Sequence, residues 1–388
     1  MLKRFLGVIF ALLFVASFQA SADTPSSPLA ETEKLLASKP ELKAWFDTTA
    51  KKLEVQLRSL ARQAEKFEDP DGFGIAKDKK AEKKLGDDEL NLRRKKALQA
   101  VIDYANKVER HLLTILTASK IAKYECVQKR VLRSPEFTFE LFRKEDPLRT
   151  AVFVTTKSLS EGGKTKVHAQ KLLFSSRALL PTAFAETLSH ELTHLFIQMR
   201  DTEDNPEFVV FPTVVRLDLA AVKYPAHRYK KSIYIEHELV AEGITELRSQ
   251  QCVRLMGENV YPVSYQHALG LACVMVACDE DLVMQWYTGS LTTKEFYDRY
   301  RKSLGDCLQK HRKFDAAEAD RVTFGLLNLA LDGRNTKVFS QTQGAHADIG
   351  VTMQTFVRAL LDAGYVTRDV FDRADAPDHV MDIYFPKK

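Results

Sequence analysis

The sequence predicts an α+β fold that is mostly helical, and three features of the chain carry that prediction. Two long stretches near the amino terminus repeat apolar residues at alternating steps of four and three, the spacing of a buried helix face. Short runs rich in aromatic and β-branched residues follow, grouped around Gly162-Gly163, and these read as strands. From Tyr234 onward helical spacing returns and holds for most of the chain. A length of 388 residues permits one large domain or two. The expected organisation is an amino-terminal antiparallel helical hairpin over residues 23–125, a mixed core with a small antiparallel sheet over 126–310, and a helical carboxy-terminal lobe over 311–388.

Residues 1–22 stand apart from the fold. Lys3 and Arg4 precede an apolar run, Phe5–Phe18, and Ala20-Ser21-Ala22 supplies the small residues of a cleavage site before Asp23. That is the pattern of a secretory signal, and the run is short for a membrane span. No cysteine follows it to accept a lipid, and no second apolar stretch reaches spanning length. The expected mature chain is exported, to a bacterial periplasm or to the medium, and has no membrane span.

The hairpin rests on Phe46, Ala50, Leu53, Leu57, Leu60, Ala64 and Phe67, followed by Leu98, Val101, Ala105, Val108, Leu112 and Ile115. A polar connector over Pro70–Asp88, with Gly72, Gly74 and Gly86, joins the two stripes. The hairpin has three conceivable roles: packing on the core, binding a protein partner, or covering a cleft. Basic clusters at Lys77–Lys84 and Arg93–Lys96 are interleaved with Asp78, Glu82, Asp87, Asp88 and Glu89, and no aromatic platform accompanies them. Losing Lys3 and Arg4 lowers the formal charge of +5 by two, close to balance for this size. A solvated surface, and not a nucleic-acid site, accounts for these clusters.

Phe137–Phe142 alternates aromatic and polar residues, Ala151–Thr155 is β-rich, and Val167–Phe174 follows the glycine pair. These predict the small antiparallel sheet, with the last strand at an edge able to hold an extended peptide by its main chain. Pro181 then starts a helix on which Phe184, Leu188, Leu192 and Leu195 recur for burial. It carries His190-Glu191-Leu192-Thr193-His194. At 3.6 residues per turn the two histidines share a face, so both imidazoles reach one metal ion while Glu191 stands beside its water. A catalytic zinc needs a third protein ligand. The stretch Tyr234–Leu255 reads as a further helix with Glu238, Glu242 and Glu246 on one face, framed by Leu239, Val240, Ala241, Ile244 and Leu247.

His190-Glu191-Leu192-Thr193-His194 followed by Ala241-Glu242-Gly243-Ile244-Thr245-Glu246 resembles the gluzincin group of zinc metallopeptidases, over roughly Lys166 to Gly305. The resemblance implies a zincin-like core in which His190, His194 and Glu242 hold one zinc ion per chain. It also implies that Glu246 hydrogen-bonds His190, that Gly243 lets the active-site helix approach closely, and that Glu191 is the general base and acid of peptide hydrolysis. Such a partner fixes the imidazole tautomer and strengthens the ligand. A register one turn earlier, with Glu238 as ligand and Glu242 behind it, is the alternative. Tyr261, Tyr265, His267 and His237 are the residues offered for the oxyanion, with Tyr261 preferred because it heads the following helix. The chain lacks the Asn-Glu-x-x-Ser-Asp string of thermolysin-like enzymes and the Gly-x-Met-Glu-Asn string of related aminopeptidases. An endopeptidase acting on peptides or proteins is therefore the expectation. An amidase of cell-wall peptides and a non-catalytic envelope interaction protein are the other readings.

Downstream, helices are expected from Tyr261 through Ala277, and over Asp279–Tyr287, Lys294–Cys307, Ala316–Leu331 and Thr352–Ala363, the last stopped by Gly364. Gly333–Gly350, with His346, reads as a loop. The cysteines are Cys126, Cys252, Cys273, Cys278 and Cys307, an odd count that leaves at least one without an intramolecular partner. Cys252, Cys273 and Cys278 fall in one region, although Cys273 and Cys278, five apart, point to different faces of a helix.

Overall fold

The computed structural model describes residues 27–66, 87–120, 123, 137–141, 151–156, 169–174, 176–197, 208–209, 218–219, 222–223, 233–234, 238–260, 266–288, 290–291, 293–310, 322, 354 and 356–386. Among them the chain is predominantly helical. The signal-like segment, the connector from Phe67 to Gly86, Cys126, the glycine pair at 162–163, Ala316–Leu331 apart from Val322, and the loop with His346 lie outside the described residues.

The amino-terminal stripes form helices that bury their apolar faces on one another. Helix α1 (Pro28–Ser38) opens at Ser27, whose hydroxyl accepts the Ala30 N–H at 3.2 Å. Helix α2 (Pro40–Glu65) is followed by α3 (Asp87–Asn106) and α4 (Val108–Ser119). Leu53, Leu57 and Leu60 of α2 and Ala97 and Val101 of α3 are fully buried. Arg94 donates to the Ala64 carbonyl at 3.1 Å and Arg58 to Asn106 at 3.0 Å, so α2 and α3 run antiparallel as expected. The second stripe is not one helix, however. The chain breaks helical geometry at Lys107 (φ −112°, ψ 19°), and the change of direction lets α3 stay on α2 while α4 packs against the glutamate-bearing helix.

The sheet has three strands, β1 (Phe137–Leu141), β2 (Ala151–Thr156) and β3 (Ala169–Phe174), in the order β1-β3-β2. Two expectations are corrected here. The sheet is mixed rather than antiparallel: β2 pairs antiparallel with β3, whereas β1 pairs parallel with it. In addition, β3 is central, not at an edge. The other edge of β1 is occupied from α2. Gln56 accepts from the Phe139 N–H (3.0 Å), and Gln63 bonds both the Phe139 carbonyl (3.0 Å) and the Leu141 N–H (2.9 Å). Helix side chains thus occupy the outer edge of β1, which meets the sheet only through β3. The alternation itself holds, with Phe137, Phe139 and Leu141 buried. Among the described residues no strand pairs with the outer edge of β2, which packs beside the histidine-bearing helix.

That helix, α5 (Pro181–Ile197), follows a short 3-10 turn, Ser176–Leu179. Four two-residue strands come next: β4 (Phe208–Val209), β5 (Asp218–Leu219), β6 (Val222–Lys223) and β7 (Ile233–Tyr234). Tyr234 therefore pairs with Phe208 instead of starting a helix, and α6 begins later, as Glu238–Leu255. Helix α7 (Gln266–Cys278) leads to α8 (Glu280–Tyr287), capped by Asp279 on the Leu282 N–H at 3.1 Å, and to α9 (Thr293–Gln309). A disulfide joins Cys278 at the end of α7 to Cys307 of α9, while Cys252 and Cys273 are buried thiols.

Residues 356–362 are helical, and Gly364 at φ +76° stops them as expected, with its N–H on the Leu361 carbonyl at 3.0 Å. Helices α10 (Arg368–Arg373) and α11 (Asp378–Tyr384) pack on α7. Arg254, in the last turn of α6, reaches Asp375 at 2.9 Å, and Gln251 donates to the Ala374 carbonyl at 3.2 Å. Buried residues from α1 to α11 join one hydrophobic cluster. No helix among the described residues is long and apolar enough to cross a membrane.

Candidate metal centre

Helix α5 is enclosed nearly all round. Phe184, Leu188 and Leu192 are fully buried; Phe184 meets Tyr104 edge-on at 5.2 Å, and Trp45 meets Phe196 edge-on at 5.5 Å. These contacts fix the rotation of the helix and hence the direction of its two histidines. Helix α6, packed along α5, is also buried on all sides from Gly243 to Val253, with Ile244 and Leu247 among its apolar residues and Thr245, Arg248, Ser249 and Gln250 among its polar ones. Among its buried polar groups, Arg248 donates to Glu280 at 2.7 Å and to Gln251 at 2.9 Å.

Between the helices three ligand atoms converge. His190 Nε2 stands 3.0 Å from Glu242 Oε2, His194 Nε2 stands 3.1 Å from the same oxygen, and the two Nε2 atoms are 2.9 Å apart. Ligand atoms held at about 2.0–2.1 Å around a tetrahedral zinc would be about 3.3 Å from one another, so this triangle is near the size such an ion needs. Two imidazole nitrogens and a carboxylate oxygen are also the donor types zinc takes at catalytic sites. Among the described residues this is the group of histidine, cysteine and acidic side chains able to hold a metal ion. The Glu242 side chain is 20% exposed against 2% for Glu246, so the cluster opens on the Glu242 side.

Behind the triangle, His190 Nδ1 lies 2.9 Å from Glu246 Oε2. Donation from Nδ1–H leaves the Nε2 lone pair directed into the triangle. Both glutamates therefore stand where the unshifted register puts them. Gly243 does serve a close approach, but the partner is not α5: a Cβ there would meet the Ala268 carbonyl oxygen of α7 at 2.7 Å.

The charges are arranged to suit a cation. Burial works against ionisation of Glu242, yet His194 and His190 overcome it and hold the carboxyl well below the usual range. Burial likewise opposes Glu246, and hydrogen bonds from His190, Glu186 and Gln250 pull it down. For His190 burial disfavours the charged ring, but Glu242 and Glu246 at its two nitrogens push its pKa well up. Glu191 behaves oppositely to its neighbours: burial raises its pKa, with His190 and His194 only partly offsetting this. Buried carboxylates that remain ionised call for positive charge within reach.

Four residues that pattern reading did not single out belong to the same assembly. Thr245, fully buried, places its hydroxyl 3.5 Å from His194 Nδ1 and bonds the Tyr287 hydroxyl of α8. Gln250 donates to Glu246 Oε1 at 2.7 Å and to Glu186 Oε1 at 3.2 Å. Helical spacing offered a signal for two of them, since Gln250 is one turn after Glu246 and Glu186 one turn before His190. Tyr261, Tyr265 and His237 lie outside the described residues, as does the side chain of His267. No protein-family model, no curated protein and no solved structure matches the chain.

Proposed function

We propose that this chain is an exported zinc-dependent metallopeptidase with a gluzincin-like, zincin-type core, acting as an endopeptidase on peptides or proteins. The observation that carries the reading is the convergence of His190, His194 and Glu242 with Glu246 seated on the far nitrogen of His190. His190, His194 and Glu242 would hold one zinc ion. When bound, zinc supplies Lewis acidity toward a peptide carbonyl and toward water at neutral pH. Glu191 takes up a proton at its carboxylate and hands it to the leaving amine, a task favoured by a carboxyl whose pKa burial has raised. Glu246 holds the tautomer of His190, and the Thr245–Tyr287 pair restrains the ring of His194. The outer edge of β2, beside α5, offers main-chain groups to an extended substrate. Export is supported by the signal-like amino terminus and by the Cys278–Cys307 disulfide, which belongs to an oxidising compartment.

The test combines zinc content with cleavage of a random peptide library, for the unaltered protein and its Glu191→Gln variant. About one zinc per chain is expected in both. Cleavage is expected in the unaltered protein, with the variant slower by at least about 10²- to 10⁴-fold. Glu242→Ala should abolish stoichiometric zinc. A zinc-loaded protein inert toward varied peptides would overturn the peptidase reading, and a protein that binds no zinc would overturn the metal centre.

A further inference from the structure

Four buried side chains close a ring across the α5–α6 contact. Glu186 and His190 are one turn apart on α5; Glu246 and Gln250 are one turn apart on α6. His190 Nδ1 meets Glu246 Oε2 at 2.9 Å, and the second oxygen of the same carboxylate, Oε1, accepts from Gln250 Nε2 at 2.7 Å. That amide nitrogen also reaches Glu186 Oε1 at 3.2 Å. Gln250 is fully buried, and Glu186 and Glu246 are 3% and 2% exposed, so these bonds are made out of contact with bulk solvent. The amide orientation is informative. Among the described residues Gln250 Oε1 is buried without a hydrogen-bond partner, a cost offset where the N–H group of the same amide meets two carboxylates. Turned the other way, it would set a carbonyl oxygen against both.

From this geometry we infer that Gln250 and Glu186 are positioning residues for the metal centre. Gln250 ties down the second oxygen of Glu246, and Glu186 hydrogen-bonds both Gln250 and the same carboxylate, which fixes the plane of Glu246 and, through it, the ring of His190. The inference rests on the zinc reading of the cluster but not on peptidase activity. Neither residue is one of the three ligand groups, so both act by keeping Nε2 of His190 aimed. Groups that hold a metal-ligating histidine typically change affinity by about 10- to 100-fold, and a group one bond further out is expected at the low end, about tenfold.

The test measures zinc affinity by chelator competition, the visible absorption of the Co²⁺-loaded protein, and thermal unfolding without metal. Gln250→Met keeps volume and removes the donor; about tenfold weaker zinc binding and an altered cobalt spectrum are expected. Glu186→Met should do the same, whereas Glu186→Gln, which keeps an oxygen for Gln250, should restore affinity to within about threefold of the unaltered protein. The Glu186 pair decides the matter if Gln250→Met does not fold. Zinc affinity and cobalt spectrum unchanged in Gln250→Met, or indistinguishable between Glu186→Met and Glu186→Gln, would overturn the inference while leaving the metal centre standing. Absence of zinc binding by the unaltered protein would overturn both.

Discussion

Replacing Gly243 by alanine tests how α6 is held, because two effects of opposite sign compete there. In an unconstrained helix interior the change would stabilise by about 1 kcal/mol through helix propensity. Here the added Cβ would lie 2.7 Å from the Ala268 carbonyl oxygen, 2.9 Å from its carbon and 3.1 Å from its Cβ. Carbon–oxygen contacts are ordinarily about 3.3–3.6 Å, so the α6 and α7 backbones must part by more than about half an ångström. Overpacking of this kind costs about 1–3 kcal/mol, leaving a net loss of roughly 1–2 kcal/mol and a Tm lower by a few degrees. Because Gly243 adjoins Glu242, strain relieved by moving α6 must be restored when an ion draws the ligands together. Zinc affinity should then fall by up to about tenfold. The assay is thermal unfolding by circular dichroism with zinc titration by chelator competition. Gly257→Ala is the control: with φ +77° and nothing among the described residues within 4 Å, it should lose stability to backbone strain and keep its zinc affinity. A higher Tm for Gly243→Ala would refute the packing argument.

Two further outcomes follow from buried groups away from the triangle. Burial lowers the pKa of His111 to about 3 from 6.5, so the folded protein stays unprotonated there while the unfolded chain gains a proton as pH falls through about 6.5. The stability this neutral ring contributes is complete above about pH 6.5 and is lost at about 1.4 kcal/mol per unit down to about pH 3. His111→Gln should flatten the fall in urea midpoint between pH 7 and pH 5 by about 2 kcal/mol; parallel profiles would reject the assignment. The Cys278–Cys307 bridge spans 29 residues, and loop closure of that length corresponds to about 3–4 kcal/mol. The Cys278→Ser, Cys307→Ser double variant should unfold at correspondingly lower urea, and an unchanged midpoint would count against the bridge.

The pair of histidines was legible because one helix supplies both, and Phe184, Leu188 and Leu192 declared which face of that helix is buried. Glu242 and Glu246 were legible as a stripe in an apolar frame, and their separate roles only through a resemblance to a known arrangement. An acidic stripe on a solvated helix has the same spacing, and what distinguishes α6 is enclosure by other elements, which no local pattern records. Strand order escaped for a similar reason. Alternation marks Phe137, Phe139 and Leu141 as one face, but it does not name the neighbour on either edge, and one edge is taken by Gln56 and Gln63 on a helix some eighty residues away. The break at Lys107 carries no glycine or proline to mark it, and the contacts of α4 with α6 that accompany it are tertiary. Gln250 and Glu186 have the right spacing, yet glutamine and glutamate on helices are too common to stand out.

Helix α6 is the axle of the molecule: α4, α5 and α7 press on its length, and Arg254 and Gln251 moor its far end to the carboxy-terminal segment. An ion gripped there would be felt by segments from both ends of the chain. At a hundred times its dissociation constant, a ligand specific to the native state adds about 2.7 kcal/mol to global stability. Hydrogen exchange in α4 and α10, neither of which bears a ligand, should therefore slow when zinc is added, making remote backbone amides a gauge of occupancy.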